Sequence, residues 1–103
     1  MKYANHIGYS DINPYEVIRV ISDKTIEIRE MKANRDESYK PEFIPGGFSA
    51  VCLNQNDQKW IIESDDSNPV IRIRKSIKKG WASKHGQRFV LDCEPVKFYD
   101  YNF

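Results

Sequence analysis

The chain has 103 residues, of which 40% are hydrophobic, 30% charged and 13% aromatic. This length predicts a single domain over residues 1–103, and the apolar content excludes a disordered charged tail. A formal charge of +1 excludes a generally basic nucleic-acid coat. No apolar run approaches the roughly 18–20 residues that span a bilayer, and the first residues lack a signal-peptide pattern, so we predict a cytoplasmic protein with no membrane partner.

The first strong pattern is a pair of strand-like runs, Tyr15–Ser22 and Thr25–Lys32, separated by Asp23 and Lys24. Both runs are rich in β-branched and aromatic residues, and a two-residue polar break between such runs is typical of a β-hairpin. The second run alternates apolar and polar residues, so we expect one buried face and one wet face. The first run is apolar on both faces, which predicts a strand covered on both sides.

A long polar stretch follows the hairpin, and several short strands follow that stretch. Ala33–Gly47 holds two prolines, two glycines and five charged residues, which predicts one long external loop. The strands predicted after it are short and rich in apolar residues: Phe48–Leu53, Trp60–Glu63, Val70–Lys75, a segment around Trp81 between two turns, Arg88–Leu91 and Lys97–Tyr101.

These patterns predict an all-β fold, because no window of the chain shows sustained helical spacing. The architecture we expect is a small antiparallel barrel or sandwich of six to eight short strands, with the Ala33–Gly47 loop outside. The side chains expected to point inward are mostly aliphatic: Val17, Ile21, Ile26, Ile28, Val51, Trp60, Ile71, Ile73, Phe89 and Leu91.

Residues suited to metal binding or catalysis do not occur at the spacings that those chemistries need. The histidines and cysteines are scattered: His6, Cys52, His85 and Cys93. This spacing predicts no metal and no cofactor, with both histidines on the surface or in turns and both cysteines buried as small hydrophobes. Neither a nucleophile elbow nor a phosphate loop occurs, and Asp65 and Asp66 are adjacent in a turn where we expect them to be solvated. We therefore predict a non-enzymatic protein without catalytic residues.

Charge is strongly segregated along the chain. Residues 72–88 carry seven cations and no acid, whereas residues 52–71 carry four acids and one lysine. Arg72 and Arg74 should project from one strand face, about 7 Å apart, which suits phosphate oxygens. Trp81 is placed either to stack on a base or to fill the core. The candidate residues for binding an anionic ligand lie in this basic segment: Arg72, Arg74, Lys78, Lys79, Trp81, Lys84 and Arg88. The alternative is a solvated face whose cations pair with acids elsewhere, such as those of residues 52–71.

The C-terminal residues are the second candidate surface, since four aromatic side chains occur within six residues. Such a tail either docks on the core of its own chain or enters an interface with a second copy, and docking is the favoured interpretation. The residues in question are Phe98, Tyr99, Tyr101 and Phe103. A homodimer is the companion expectation, because an interface would cover spare aromatic surface.

Several segments resemble a group of small uncharacterised proteins typical of phages, prophages and plasmids. The resembling pieces span most of the chain: Gly8–Asp11, Pro14–Ile18, Lys24–Ala33, Pro45–Ala50, Trp60 and Tyr99–Phe103. The resemblance implies an origin in a mobile element, and it carries no activity with it. Small proteins of this kind often act as counter-defence factors or as nucleic-acid accessories.

Three functions remain open from the sequence. The favoured one is a counter-defence protein that sequesters an anionic host nucleotide signal or blocks a host immune protein. The second is a small nucleic-acid-binding accessory protein that uses the basic segment as a phosphate track, although the near-zero net charge counts against it. The third is a protein-only adaptor that uses the Ala33–Gly47 loop and the aromatic tail.

Overall fold

The computed structural model describes residues 2–39, 43–46, 49–52 and 58–99, and every regular element among them is a β-strand. The strands follow in chain order: β1 (Tyr3–Ile7), β2 (Ile12–Ser22), β3 (Thr25–Glu30), β4 (Lys32–Arg35), β5 (Phe43–Gly46), β6 (Ser49–Cys52), β7 (Trp60–Glu63), β8 (Val70–Ser76), β9 (Gly80–Ala82) and β10 (Arg88–Asp92). The predicted all-β class is therefore confirmed.

Six strands close into an antiparallel barrel in the order β1-β10-β9-β8-β3-β2. Closure gives each of the six strands a partner on both sides over at least part of its length. The other strands form two separate ladders, β4 with β7 and β5 with β6. Of the two predicted architectures, barrel and sandwich, the structure has the barrel.

The predicted hairpin is present as β2 and β3, with Ser22 opposite Thr25 across the Asp23–Lys24 turn. The expectation that its first strand is covered on both sides is wrong. Ile18, Val20 and Ile21 are 42%, 68% and 39% exposed. The reason is that β1 pairs only with residues 12–16 of β2, so the second half of β2 extends past its neighbour. Two register shifts in the β2–β3 ladder add local bends to this half.

The long-loop expectation for Ala33–Gly47 also needs correction. Strand β4 begins at Lys32 and runs into this range, and β5 occupies residues 43–46. The sequence Lys-Ala-Asn-Arg of β4 has no apolar alternation, and it becomes a strand because Trp60–Glu63 pairs with it residue for residue. Within the part of the chain that the structure describes, Lys97–Tyr101 forms no regular strand, and Phe98 makes a single bridge to Ile12.

The barrel core is a small cluster of buried side chains: Ala4, Ile26, Ile28, Ile73 and Phe89. Partly buried side chains pack around it: Tyr15, Val17, Ile71, Trp81 and Leu91. Seven predicted inward residues belong to these two sets. Ile21 was predicted inward and is exposed, Trp60 lies in the separate β4–β7 ladder, and the Val51 side chain lies outside the described residues.

Strand β1 was not predicted, although it pairs with both β2 and β10. Its sequence, Tyr-Ala-Asn-His-Ile, has no clear apolar alternation, because the residues that face the core are a small one, Ala4, and a polar one, His6. Asn5 is 3% exposed, and its side-chain amide donates to the Glu94 carbonyl at 3.1 Å and accepts from the Val96 amide at 2.9 Å. These two bonds connect the segment after β10 to β1, and they satisfy both ends of the buried Asn5 amide.

Candidate functional site

A cleft opens in the barrel wall because β9 is much shorter than its neighbour β8. Strand β9 ends at Ala82, opposite Arg74, so no described strand pairs with Val70–Ile73 on that side. The chain instead turns away over residues 83–87, where the Gly86 amide donates to the Ser83 carbonyl at 3.1 Å. Gly86 has a φ of 88°, a conformation that glycine adopts without strain. The space between β8 and this turn is a cavity of about 720 Å³.

The cavity is large enough for a small organic ligand, since sites of this kind occupy roughly 300–1,000 Å³. Its apolar lining comes from Val70, Ile71 and Ala82. Its polar and charged lining comes from both walls: Arg72, Arg74, Ser76, Ser83, Lys84, His85 and Gln87. An apolar surface with a few polar groups that converge on it is the usual composition of a ligand site.

The cationic side chains of the cleft differ in how far they are neutralised. The Arg72 guanidinium lies 3.3 Å from the Glu27 carboxylate on the neighbouring strand. Among the described residues, Arg74 and Lys84 have no ion-pair partner. Arg74 belongs to β8 and Lys84 to the facing turn, so the two unpaired charges lie on opposite walls. The cleft therefore keeps a net positive charge.

The backbone of β8 adds a possible donor to the cleft wall. The Lys75 amide donates to the Lys24 carbonyl at 2.9 Å, so the main-chain groups of odd-numbered residues in β8 point toward the β2–β3 hairpin. Antiparallel pairing alternates from one residue to the next, and the N–H and C=O of Arg72 consequently point toward the cleft. A backbone N–H at this position suits an anionic oxygen.

Among the described residues, the acids of residues 58–71 form no ion pair with a cation of the cleft, whereas the solvated-face alternative named these acids as partners. Asp66 lies 2.8 Å from Arg29 of β3, and its side chain is 92% exposed. Hydrogen bonds from the Ser67 hydroxyl and then from its backbone amide lower the pKa of Asp65. Asp65 and Asp66 therefore bond to Ser67 and Arg29, not to cations of residues 72–88.

The structure divides the predicted anion-binding residues into those on the cleft and those elsewhere. Arg72, Arg74 and Lys84 line it. Lys78 and Lys79 lie in the β8–β9 turn, and Arg88 begins β10 opposite Ala82. Trp81 packs against the core, so the stacking role does not fit its position. Because Ala82 follows Trp81 in β9, alternation directs Trp81 inward when Ala82 faces the cleft.

Sequence reasoning missed the uncharged polar residues of the cleft. The Gln87 amide donates to the Ser83 hydroxyl at 3.2 Å, and this contact shapes the turn that carries Lys84. The only sequence signal for it was the Lys84-His85-Gly86 turn motif, which the structure confirms. His85 is exposed on this turn, as predicted.

The other histidine and one cysteine differ from expectation. His6 lies in β1, with its ring 5.4 Å from the Phe89 ring and 6.3 Å from the Tyr15 ring, so it is a half-buried aromatic neighbour rather than a surface residue. Cys93 was predicted to be buried and is exposed, because it follows the end of β10. The Cys52 side chain lies outside the described residues. No cluster of three metal-ligating side chains occurs among the residues that the structure describes.

The position of His6 predicts a pH dependence of stability. Burial lowers the pKa of His6, and the Glu30 carboxylate opposes part of that shift. The unfolded chain therefore binds the proton more readily, and stability should decrease as pH falls below about 6.5 through the lower folded-state pKa. Urea unfolding at about pH 7.5 and pH 5.5 measures the loss. His6→Phe keeps a ring against Phe89 without an ionisable group. We expect this variant to lose less stability between about pH 7.5 and pH 5.5 than the unaltered protein does. An equal loss in both proteins would assign the pH dependence to other groups.

The described part of the aromatic tail docks on its own chain, which was the favoured interpretation. Phe98 exchanges two backbone hydrogen bonds with Ile12, both 2.9 Å long. The Gln58 side chain accepts from the Tyr99 amide at 2.9 Å and donates to the Tyr99 carbonyl. Tyr99 itself is 46% exposed, and Tyr101 and Phe103 lie outside the described residues. The homodimer remains a prediction, which light scattering can test.

Comparisons with family models, with curated proteins and with solved structures give no match. Among the described residues, the structure contains no helix long and apolar enough to cross a membrane. The observations that bear on function are therefore the geometry and charge of the cleft.

Proposed function

We propose that this chain is a non-enzymatic binding protein whose cleft holds a small anionic ligand of the nucleotide type. The observation that carries the proposal is the pair of unpaired cations, Arg74 and Lys84, on opposite walls of a cavity of about 720 Å³. A phosphate group between the two walls would accept hydrogen bonds from the guanidinium fork of Arg74 and from the Lys84 ammonium.

The rest of the cleft supports a ligand that is only partly charged. Val70, Ile71 and Ala82 offer apolar surface for a base or sugar face. Ser76 and Ser83 also line the cleft, and their hydroxyls would bond polar edges of such a ligand. An inorganic anion alone would leave this apolar lining in contact with water, so a nucleotide matches the composition better.

A mobile-element origin would provide a biological role for nucleotide binding. A protein that binds a host nucleotide signal lowers the concentration of free signal without any chemistry, which suits a counter-defence role. The support for this setting is the resemblance of the sequence to small phage, prophage and plasmid proteins, and the cleft is compatible with it.

A thermal-shift screen with nucleotides, cyclic oligonucleotides and duplex DNA tests the proposal, because a ligand that binds the folded state raises the melting temperature. We expect a nucleotide-type hit and expect Arg74→Ala to weaken its binding by about 1–3 kcal/mol, the value of a charged hydrogen bond. Arg88→Ala is the matched control, since it removes the same charge from the same basic segment outside the cleft. The affinity of Arg88→Ala for the same nucleotide should stay close to that of the unaltered protein.

The salt dependence separates this function from the nucleic-acid alternative. A cleft that contacts a few phosphate oxygens should lose little affinity as salt rises, whereas a phosphate track on duplex DNA loses affinity with a slope near −0.9 per phosphate. Tight duplex binding with a steep slope, or equal losses in Arg74→Ala and Arg88→Ala, would overturn the proposal.

A further inference from the structure

A second basic surface, next to the cleft, lies at the end of the barrel where the β2–β3 and β8–β9 turns meet. Residues 19–24 and 74–80 form this end, and together they carry six cations and one acid. Ile77 lies in the β8–β9 turn and is fully exposed. We call its immediate surroundings the basic apex, which consists of Lys24, Lys75, Ile77, Lys78 and Lys79.

The conformation of the basic apex is well defined. The Ser76 hydroxyl accepts from the Lys79 amide at 3.0 Å, which closes the turn that presents Ile77 and Lys78. Gly80 has a φ of 64°, the left-handed conformation that lets the chain re-enter the sheet after this turn. The Lys75 amide bonds the Lys24 carbonyl, so the two turns are held side by side. Ile77 is therefore displayed in water by a folded turn.

More apolar surface accompanies Ile77 at this end. Val20 and Ile21 lie near the end of β2, just before the β2–β3 turn, and are 68% and 39% exposed. Among the described residues, none of the lysines of the basic apex has an ion-pair partner. The barrel end thus combines exposed aliphatic side chains with lysines that have no ion-pair partner among the described residues.

We propose that the basic apex docks this protein on the surface of an anionic lipid membrane. Ile77 would insert among the lipid headgroups while the lysines contact phosphates, since long lysine stems let the charge remain at the polar level. The sequence analysis predicted no membrane partner because the chain has no apolar run long enough to span a bilayer. Docking on the membrane surface does not require a spanning segment.

Two features favour a membrane over a macromolecule with a fixed shape. Protein interfaces are depleted in lysine and enriched in aromatic residues and arginine, whereas the basic apex has four lysines and no aromatic side chain. Nucleic-acid contact would use the lysines and leave Ile77 unexplained, because phosphate recognition needs no apolar tip. A convex turn with one aliphatic side chain fits a soft surface that closes around it.

Vesicle flotation tests this proposal independently of any cleft ligand. We expect binding to vesicles of phosphatidylcholine mixed with phosphatidylglycerol, weak binding to phosphatidylcholine alone, and a decrease in binding with salt. Ile77→Ser should reduce the partition coefficient at least about tenfold, the effect of removing a buried aliphatic side chain. Ile61→Ser is the matched control, since Ile61 is 49% exposed on β7, away from this end.

A paired charge experiment completes the test. Lys78→Gln combined with Lys79→Gln should weaken binding to the anionic vesicles, whereas Lys32→Gln combined with Lys59→Gln should leave it nearly unchanged. Circular dichroism melts confirm that each variant folds. Failure to bind anionic vesicles, or equal effects of Ile77→Ser and Ile61→Ser, would overturn the proposal. The proposal would also be overturned if the protein bound polyaspartate or heparin beads as strongly as it binds vesicles and if Ile77→Ser did not change binding to the beads.

Discussion

Replacing Ile28 by alanine is expected to lower the free energy of unfolding by about 2–5 kcal/mol. Ile28 is completely buried, and it lies between Val17 of β2 and Ile71 of β8 in the barrel ladders. Strand pairing on both sides holds the backbone, so the neighbours cannot collapse fully into the space left by the deleted atoms. Urea unfolding followed by circular dichroism measures the change.

Ile21→Ala is the matched control for this substitution, since it removes the same atoms from the same hairpin. Both isoleucines were predicted to point inward, and Ile21 is 39% exposed instead. We expect a loss of about 1 kcal/mol or less, because its methyl groups already contact water. Equal losses in the two variants would mean that the β2 strand is buried along its whole length, contrary to the structure.

Replacing Asn5 by alanine is expected to destabilise the fold by about 1–3 kcal/mol, because it removes both hydrogen bonds that the buried Asn5 side chain makes to the segment after β10. The partner groups are the Glu94 carbonyl and the Val96 amide, which the Asn5 side chain bonds at 3.1 Å and 2.9 Å. The Val96 amide should also lose its protection from hydrogen exchange, an effect that a general loss of packing would not confine to this segment.

Asn34→Ala provides the comparison, since Asn34 is exposed on β4. It should change stability by no more than about 0.5 kcal/mol. Asn5→Asp separates the two bonds, because a carboxylate can still accept from the Val96 amide and cannot donate to the Glu94 carbonyl. Stability of Asn5→Ala equal to that of the unaltered protein would show that the segment after β10 does not depend on this side chain.

The strands that could be predicted are those whose inward residues form a local pattern. In β3 and β8 the residues Ile26, Ile28, Ile71 and Ile73 alternate with charged residues, and this alternation follows directly from the pleat of a strand. Strands β1 and β4 lack such a pattern. They become strands because other segments pair with them. The local sequence does not reveal a pairing partner that is distant in the chain, so these strands could not be predicted from it.

The candidate site divides in the same way. Local sequence is enough to show that seven cations are concentrated in residues 72–88, that Arg72 and Arg74 share a strand face, and that turns flank Trp81. Which of these cations act together depends on strand pairing and on core packing. Glu27 pairs with Arg72 because β3 lies beside β8 in register, and the core takes Trp81 because Ala82 faces outward. The cleft itself exists because β9 stops at Ala82 while β8 continues to Val70, a mismatch in length that depends on how the strands are aligned in the barrel.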